Sequence, residues 1–205
     1  MINYVLKLDF DVDETIFNVL KLNRYWIKRF DIPFYTLGRN AYLDGKTQAY
    51  YDESRSLNKK LITNFGELYR EVQDMMELIV GEPVGLGHEF ALPSFHIFQS
   101  DPFFLDCPQN WHTDHPRNTL GIEQEDEQKE WSFTVPIVLP ESGGGLDYKQ
   151  NNKLEHLEYE VKDIIIHKGD FPHAISNLKK YKENEYRITL QGHVMRRNGR
   201  LVMYW

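Results

Sequence analysis

The chain has 205 residues, of which 41% are hydrophobic, 14% aromatic and 27% charged, and its formal net charge is −7. This size predicts one globular domain with a substantial core. No apolar run is long enough to cross a bilayer, and the acidic balance disfavours binding to a nucleic-acid backbone. The single cysteine, Cys107, excludes an internal disulfide, and residues 1–8 lack the regions of a signal peptide. We therefore expect a cytoplasmic protein.

The N-terminal part of the chain begins with a strand pattern and continues with a helix pattern. Side chains alternate between apolar and polar over residues 2–10, which predicts a strand. From Asp13 the apolar residues recur at steps of three and four, and this spacing predicts a helix that ends at Pro33. Residues 33–55 have no clean period, so we interpret them as a loop-rich connection with at most a short strand.

The clearest helix pattern of the chain follows. Its apolar stripe is Leu61, Phe65, Leu68, Val72, Met75 and Ile79. Gly81 and Pro83 provide a stop signal behind it. A stripe of this kind predicts a helix that packs one face against a sheet. Residues 1–83 are therefore expected to form a mostly helical support layer.

The second part of the chain is typical of β structure. Runs that are rich in β-branched and aromatic residues predict strands at 94–99, 131–139, 157–161 and 164–166. A C-terminal hairpin is predicted around Asn198-Gly199, a pair that suits a type I′ turn. We expect about eight mainly antiparallel strands, arranged as a sandwich or barrel over residues 84–205.

An acidic, polar segment at residues 121–130 lies between two of these runs. A mobile lid beside a site and a solvated surface excursion are equally compatible with its composition. As a lid, its negative charge would attract a cationic substrate, such as a basic amino acid or a basic protein side chain.

The run Trp111-His112-Thr113-Asp114-His115-Pro116 carries the first candidate metal ligands. In an extended segment, His112 and Asp114 project to one side, whereas His115 projects to the other. His173 offers a third ligand farther along the chain. Two imidazoles and one carboxylate are the ligand set that holds iron(II) while leaving positions open for substrate-derived ligands and dioxygen.

A candidate anion anchor follows the third histidine. Arg187 and Thr189 would share one face of a strand and offer a guanidinium fork and a hydroxyl to the same carboxylate. The chain thus presents, in order, His-x-Asp, a glycine-rich turn at residues 142–145, a third histidine and Arg-x-Thr.

This order resembles the iron(II)- and 2-oxoglutarate-dependent oxygenases. Their double-stranded β-helix, or jelly-roll, core carries His-x-Asp/Glu, His and Arg-x-Ser/Thr. The matching stretch runs from about residue 95 to 195, about half of the chain, and the N-terminal helices fit the support layer of that family. The resemblance implies a single domain over residues 1–205, with a helical layer at 1–83 and a jelly-roll catalytic core at 84–205.

The resemblance also implies roles for particular residues. The implied ligands of Fe(II) are His112, Asp114 and His173. Arg187 and Thr189 would hold the distal carboxylate of 2-oxoglutarate, and Gln99 would add a contact from the strand before the His-x-Asp motif. With O2 as the other co-substrate, the implied reaction hydroxylates a small molecule, an amino acid or a peptide side chain and releases succinate and CO2.

Two positions distinguish branches of this family. Related halogenases replace the metal-binding carboxylate by a small residue, so Asp114 favours hydroxylation. Nucleic-acid demethylases carry a second arginine six residues after the first, where this chain has His193. A nucleic-acid substrate is therefore disfavoured.

Two alternatives stay open at the level of sequence. A cupin-like module could use the same ligands for isomerisation, hydrolysis or binding without redox chemistry, and a β-sandwich binding module could carry the histidines incidentally. Candidate substrate contacts near the motif are Trp111, His115, Arg117 and Trp131. Histidines without a partner at ligand spacing are interpreted as structural, namely His88, His96, His156, His167 and His193.

Overall fold

Two β-sheets and five α-helices form the described structure, with the first and third helices packed in the main hydrophobic core and the other three helices bordering a cavity. The computed structural model describes residues 2–123, 125 and 130–205. Within these ranges no helix is both long and apolar enough to span a membrane. The predicted mainly β architecture with a helical layer is confirmed.

The described ranges contain twelve strands and five α-helices. The strands are β1 (Ile2–Lys7), β2 (Trp26–Arg29), β3 (Phe34–Leu37), β4 (Val84–Leu86), β5 (Ser94–Gln99), β6 (Trp131–Val138), β7 (Leu146–Gln150), β8 (Lys153–Leu157), β9 (Asp163–His167), β10 (His173–Ile175), β11 (Tyr186–Arg197) and β12 (Arg200–Tyr204). The helices are α1 (Val12–Lys21), α2 (Ala41–Asp44), α3 (Gln48–Val80), α4 (Phe103–Asp106) and α5 (Pro116–Leu120).

The nine-stranded major sheet has the order β1-β9-β6-β11-β5-β3-β2. Strand β12 pairs with the C-terminal part of β11 and, on its other side, with β4. The minor sheet has the order β10-β7-β8. All pairs are antiparallel except β4 with β12. Strands β1, β2 and β3 come from the first 83 residues, so the N-terminal part contributes both helices and strands to the fold.

Alternation along the central strand β11 gives the major sheet two different faces. Ile188 and Leu190 are buried with α3 in the main hydrophobic core. Arg187 and Thr189, one residue out of step, therefore lie on the opposite face. Thr189 pairs with His96 of β5, which places these two side chains on the same face. One face of the sheet thus builds the core, and the other carries polar groups.

The long helix α3 covers the apolar face. Thr47 caps its N-terminus by accepting a hydrogen bond from the amide of Tyr50, and Gly81 ends it at φ +73°. The predicted stripe is confirmed: Leu61, Phe65 and Leu68 are among its buried residues.

The helix predicted from Asp13 to Pro33 is wrong beyond Lys21, because Trp26–Arg29 forms strand β2. Antiparallel pairing with β3 competes with helix formation there, and the ring of Trp26 packs 5.9 Å from that of Tyr35. Tertiary pairing has overridden the helical spacing.

Two further sequence predictions need correction. Residues 33–55 contain β3, α2 and the start of α3, and both of these helices begin at side-chain caps, Asn40 and Thr47. The strand predicted over 157–161 is instead β8, which ends at Leu157, and residues 158–162 form a connection that turns into β9 at Lys162, with φ +71°. Of the acidic segment 121–130, residues 124 and 126–129 lie outside the described residues.

A buried ion pair fixes the β2–β3 hairpin to α2. Arg29 donates to both carboxylate oxygens of Asp44, at 3.0 and 2.6 Å, and donates through Nε to Thr36 Oγ1 at 2.8 Å. Burial alone would raise the pKa of Asp44, but hydrogen bonds from Arg29 and from the amide of Asn40 lower it. The pair therefore stabilises the fold when Asp44 is ionised, and that contribution is lost as pH falls through the lowered pKa.

We predict that Asp44→Asn lowers the free energy of unfolding by about 3–5 kcal/mol at pH 7, because it leaves Arg29 as an unpaired buried charge. Urea denaturation measures this effect, and the difference from the wild type should shrink below about pH 4, where unfolded Asp protonates. Glu53→Gln is the control: it removes a more exposed partner of Arg39 and should cost at most about 1 kcal/mol. Equal losses for the two variants would contradict the prediction.

Candidate metal centre and its cavity

Two backbone hydrogen bonds bring the first and third candidate ligands together. The amide of His112 donates to the carbonyl of His173 at 3.0 Å, and the amide of His173 donates back at 2.9 Å. His112 thus forms an isolated antiparallel bridge to β10, where a continuous strand was expected. Residues that pair directly across such a bridge share a face, and the two imidazole centroids lie 4.5 Å apart.

Asp114 is held by a second contact to the segment before β10. Its amide donates to the carbonyl of Gly169 at 2.8 Å. Gly169 has φ +73°, and a Cβ atom built on it would lie 2.6 Å from the Cβ of Asp114. A glycine is needed here for both reasons, because the backbone is left-handed and the two segments approach closely.

The three side chains form a compact donor set. His112 Nε2 lies 3.6 Å from Asp114 Oδ1, and His173 Nε2 lies 3.5 Å from Asp114 Oδ2. One ligand atom from each residue can be chosen so that all three lie within 4.8 Å of one another. A single ion could therefore contact all three residues.

The backbone orients both imidazoles for ligation. Nδ1 of His112 lies 2.8 Å from the carbonyl of Asn110, and Nδ1 of His173 lies 2.9 Å from the carbonyl of Phe171. A carbonyl only accepts, so both Nδ1 atoms carry the proton, and each neutral ring keeps the lone pair of Nε2 for a metal ion. When His173 is protonated, its Nε2 instead donates to Asp114. The side chain of His112 is 43% exposed and that of His173 only 6%, so the group is open on the His112 side.

The electrostatics keep the carboxylate charged. Burial would raise the pKa of Asp114, but the hydrogen bond with His173 and the charges of the surrounding histidines lower it far below its ordinary value. Burial would lower the pKa of His173, but Asp114 raises it above the usual value. The ionised Asp114 is thus available to a cation at neutral pH.

Arg187 is a buried cation in the same cavity. Its Nε donates to the carbonyl of Gly144 at 2.7 Å, and Nη1 donates to Thr189 Oγ1 at 3.3 Å. Its Nη2 is buried and has no hydrogen-bond partner within the described ranges. Burial lowers the pKa of Arg187 to about 10, while Tyr159 raises it, and the guanidinium still carries its charge at neutral pH. A buried donor without an acceptor is unfavourable, so this guanidinium is suited to an anionic ligand.

A cavity of about 700 Å³ connects these groups. Its walls include His112, Asp114 and His173 at one part and Arg187 at another. This volume lies within the range of small-molecule sites.

Gln99 also lines the cavity, but it pairs with Tyr186, whereas Phe98 pairs with Arg187. Strand alternation therefore directs Phe98, rather than Gln99, to the face of Arg187. The ring centroid of Phe98 lies 5.6 Å from the guanidinium carbon.

One of the four predicted substrate contacts lines the cavity, and the other three contact charged side chains outside its described lining. His115 lines the cavity, but Trp111, Arg117 and Trp131 are not among the described residues that do. Trp111 lies under the ammonium of Lys149, at 4.8 Å, and Trp131 lies under that of Lys168, at 3.6 Å. Arg117 forms an ion pair with Glu130.

Three of the histidines that the sequence analysis interpreted as structural also line the cavity, a position that it did not predict: they are His96, His167 and His193. His193 Nδ1 lies 3.0 Å from the hydroxyl of Ser132. The sequence could have predicted the position of His193. It lies an even number of positions from Arg187 and Thr189 along one strand, so the three side chains share a face. His156 instead contacts Asp147 and Glu158 at the minor sheet.

Comparisons with known proteins identify the fold. No protein-family model matches the chain, and no curated protein matches it. A solved N-substituted L-amino acid dioxygenase from Burkholderia ambifaria AMMD superposes with a TM-score of 0.58 at 12% identity, over 98% of this chain and 85% of the other. Its complex with alpha-KG gives a TM-score of 0.57 at 11% identity, with the same coverage of both chains.

A third solved structure, AviO1 from Streptomyces viridochromogenes Tue57, has a TM-score of 0.52 at 8% identity and covers 96% of this chain and 91% of that one. The chain has the fold of these proteins. The predicted jelly-roll core with a helical support layer is therefore confirmed.

We predict that Gly169→Ala lowers the affinity of the donor set for Mn(II) by at least tenfold, because the added methyl group displaces Asp114. Isothermal titration calorimetry measures the affinity. Gly199→Ala is a matched control, since Gly199 has the same φ of +73° but open space around its Cα. Both variants should lose about 1 kcal/mol of stability from the left-handed backbone. Unchanged Mn(II) binding in Gly169→Ala would contradict the proposed packing role.

Proposed function

We propose that the chain is an iron(II)- and 2-oxoglutarate-dependent dioxygenase that hydroxylates a small molecule or a peptide side chain and releases succinate and CO2. The observation that carries the proposal is the buried, incompletely bonded Arg187 in the cavity of the His-Asp-His group. A metal site for hydrolysis or isomerisation needs such an anion-selective feature only where its own substrate is an anion. The redox function is therefore favoured over the non-redox alternative.

The donor chemistry fits iron(II). His112, Asp114 and His173 provide two neutral nitrogens and one carboxylate, which is the facial set of non-haem iron oxygenases. Their backbone contacts orient the rings before any ion binds. The opening beside His112 would leave the remaining positions accessible.

The surroundings of Arg187 fit the distal carboxylate of 2-oxoglutarate. The free Nη2 and the hydroxyl of Thr189 lie on one face of β11 and offer two donors to one anion. Phe98 and Tyr159 flank the guanidinium, each with its ring centroid 5.6 Å from the guanidinium carbon, and exclude water from the pair. Burial makes such a charge-assisted contact stronger than it would be in water. Gln99 stays a candidate for a further contact.

In the proposed mechanism the protein supplies binding, orientation and exclusion of water. Bound iron, with dioxygen and 2-oxoglutarate, supplies the oxidising chemistry. Arg187 would hold one end of the co-substrate, and His112, Asp114 and His173 would hold the metal in the same cavity. Because the walls hold these groups rigidly, the reacting centre of a substrate can be oriented against the metal.

We further propose that residues 1–205 act as one domain, with the helical layer supporting the jelly-roll core, and that the protein is cytoplasmic. An N-substituted amino acid is the substrate class named for one solved protein of this fold. That fact supports a small-molecule substrate, and the acidic balance of the chain agrees with a partner other than nucleic acid.

The visible absorption band of an iron(II)–2-oxoglutarate complex tests the proposal under anaerobic conditions. We expect the band in the wild type and its loss in His112→Ala. Arg187→Met should retain iron but require at least tenfold more 2-oxoglutarate, since charge-assisted hydrogen bonds are lost. Arg200→Met, at an exposed arginine outside the cavity, is the control and should behave like the wild type. The proposal fails if the iron-loaded wild type shows no band.

A further inference from the structure

The described residues that line the cavity offer almost no charge beyond what the proposed function already uses. Apart from histidines, its described lining contains two residues that are charged at neutral pH, Asp114 and Arg187. The first is assigned to the metal and the second to the co-substrate. A charged substrate group would therefore lose its hydration without gaining a counter-charge. The acidic composition of residues 121–130 led us to expect a cationic substrate, but the described lining contains no second carboxylate to bind one.

A series of aromatic side chains forms the apolar wall of the cavity. Phe34 and Phe98 stack with centroids 4.2 Å apart and an interplanar angle of 6°. Phe98 meets Phe104 edge to face at 5.6 Å, and Phe104 meets Phe103 at 5.5 Å. The series leads from the neighbourhood of Arg187 to Phe103, which is 47% exposed.

Phe30 adds a second exposed aromatic ring to the lining. It is 69% exposed and belongs to the turn between β2 and β3. Its φ is +58°, a conformation that bulky residues rarely adopt. Four of the six non-glycine residues at positive φ in the described ranges are asparagines, and Phe30 is the one aromatic residue among them. An exposed apolar ring in an unfavourable backbone conformation adds nothing to the core, so its place at the cavity points to ligand contact.

We infer that the substrate is a small molecule that presents an uncharged, flat apolar group, and that Phe30 and Phe103 bind this group at the cavity entrance. This inference rests on the proposed function, because the metal and the co-substrate must occupy the charged residues. It narrows the substrate class: a free amino acid would bring two charges for which the described lining provides no further partner. Neutral hydrogen-bonding groups, among them His96 and Gln191, are available to a polar but uncharged part of the substrate.

Three probes of similar shape test the inference: 2-naphthaleneacetamide, 2-naphthaleneacetate and 2-naphthalenemethylamine. They are neutral, anionic and cationic at pH 7. Equilibrium dialysis would measure their binding to the anaerobic protein loaded with iron(II) and 2-oxoglutarate. We expect the amide to bind at least tenfold more tightly than either ion. Equal or tighter binding of an ion, or no binding of the amide, would overturn the inference.

Two variants test the aromatic entrance. Phe30→Asn suits the left-handed backbone and should preserve the fold, yet weaken binding of the amide threefold to tenfold. Phe103→Ser should weaken it similarly. Phe17→Ser removes an aromatic ring of similar exposure, 64%, from α1 outside the cavity, and should leave binding unchanged. Unchanged binding in both entrance variants would overturn the assignment of Phe30 and Phe103.

The same probes distinguish failure of the inference from failure of the proposed function. In protein without iron and 2-oxoglutarate, Arg187 is available to an anion and Asp114 to a cation, so the three probes are compared in the loaded protein alone. If the iron(II)–2-oxoglutarate band is absent, the enzyme assignment fails whatever the probes do. If the band forms and the amide has no advantage, the enzyme assignment stands and the substrate class is wrong.

Discussion

The geometry of the candidate metal centre depends on the paired backbone hydrogen bonds between His112 and His173. These residues are far apart in the sequence, and their segments pair at an isolated bridge rather than along a continuous strand ladder. One bridge nevertheless places both imidazoles on one side, and the contact of Asp114 with Gly169 adds the carboxylate. Because β10 also pairs with β7, the minor sheet fixes the segment against which the His-x-Asp motif is aligned.

The major sheet fulfils two roles through the alternation of a single strand. In β11, Ile188 and Leu190 pack in the core with α3, whereas Arg187 lines the cavity from the opposite face, where Thr189 accepts a hydrogen bond from its Nη1. Burying a guanidinium is unfavourable, and the large hydrophobic core on the other face of the sheet can offset this free energy. A shift of one residue in the register would exchange the two faces and lose both the core and the anion anchor.

The sequence was sufficient to predict the features that depend on local spacing. The helix stripe that ends at Gly81 follows from a periodicity that a short segment carries by itself, whereas the motif residues were found through the resemblance to a known family. Strand β2 was missed, because Trp26–Arg29 acquires its conformation by pairing with β3. The cavity-facing position of His96 was missed for a related reason, since it depends on the register between β5 and β11.

The entrance of the cavity is linked to the buried ion pair that stabilises the hairpin. Arg29 immediately precedes Phe30, and its guanidinium is fixed by Asp44 at the end of α2. The same short helix carries Tyr42, whose hydroxyl lies 2.5 Å from His96 Nε2 at the cavity wall. The charged network thus lies outside the cavity yet restrains both elements that border it. Removing one partner of a buried ion pair is destabilising, but replacing the whole pair by well-packed apolar residues is often neutral. Its position here is better explained by orientation: it holds the backbone on which Phe30 adopts its unfavourable conformation, and it does so without placing a charge where the substrate would bind.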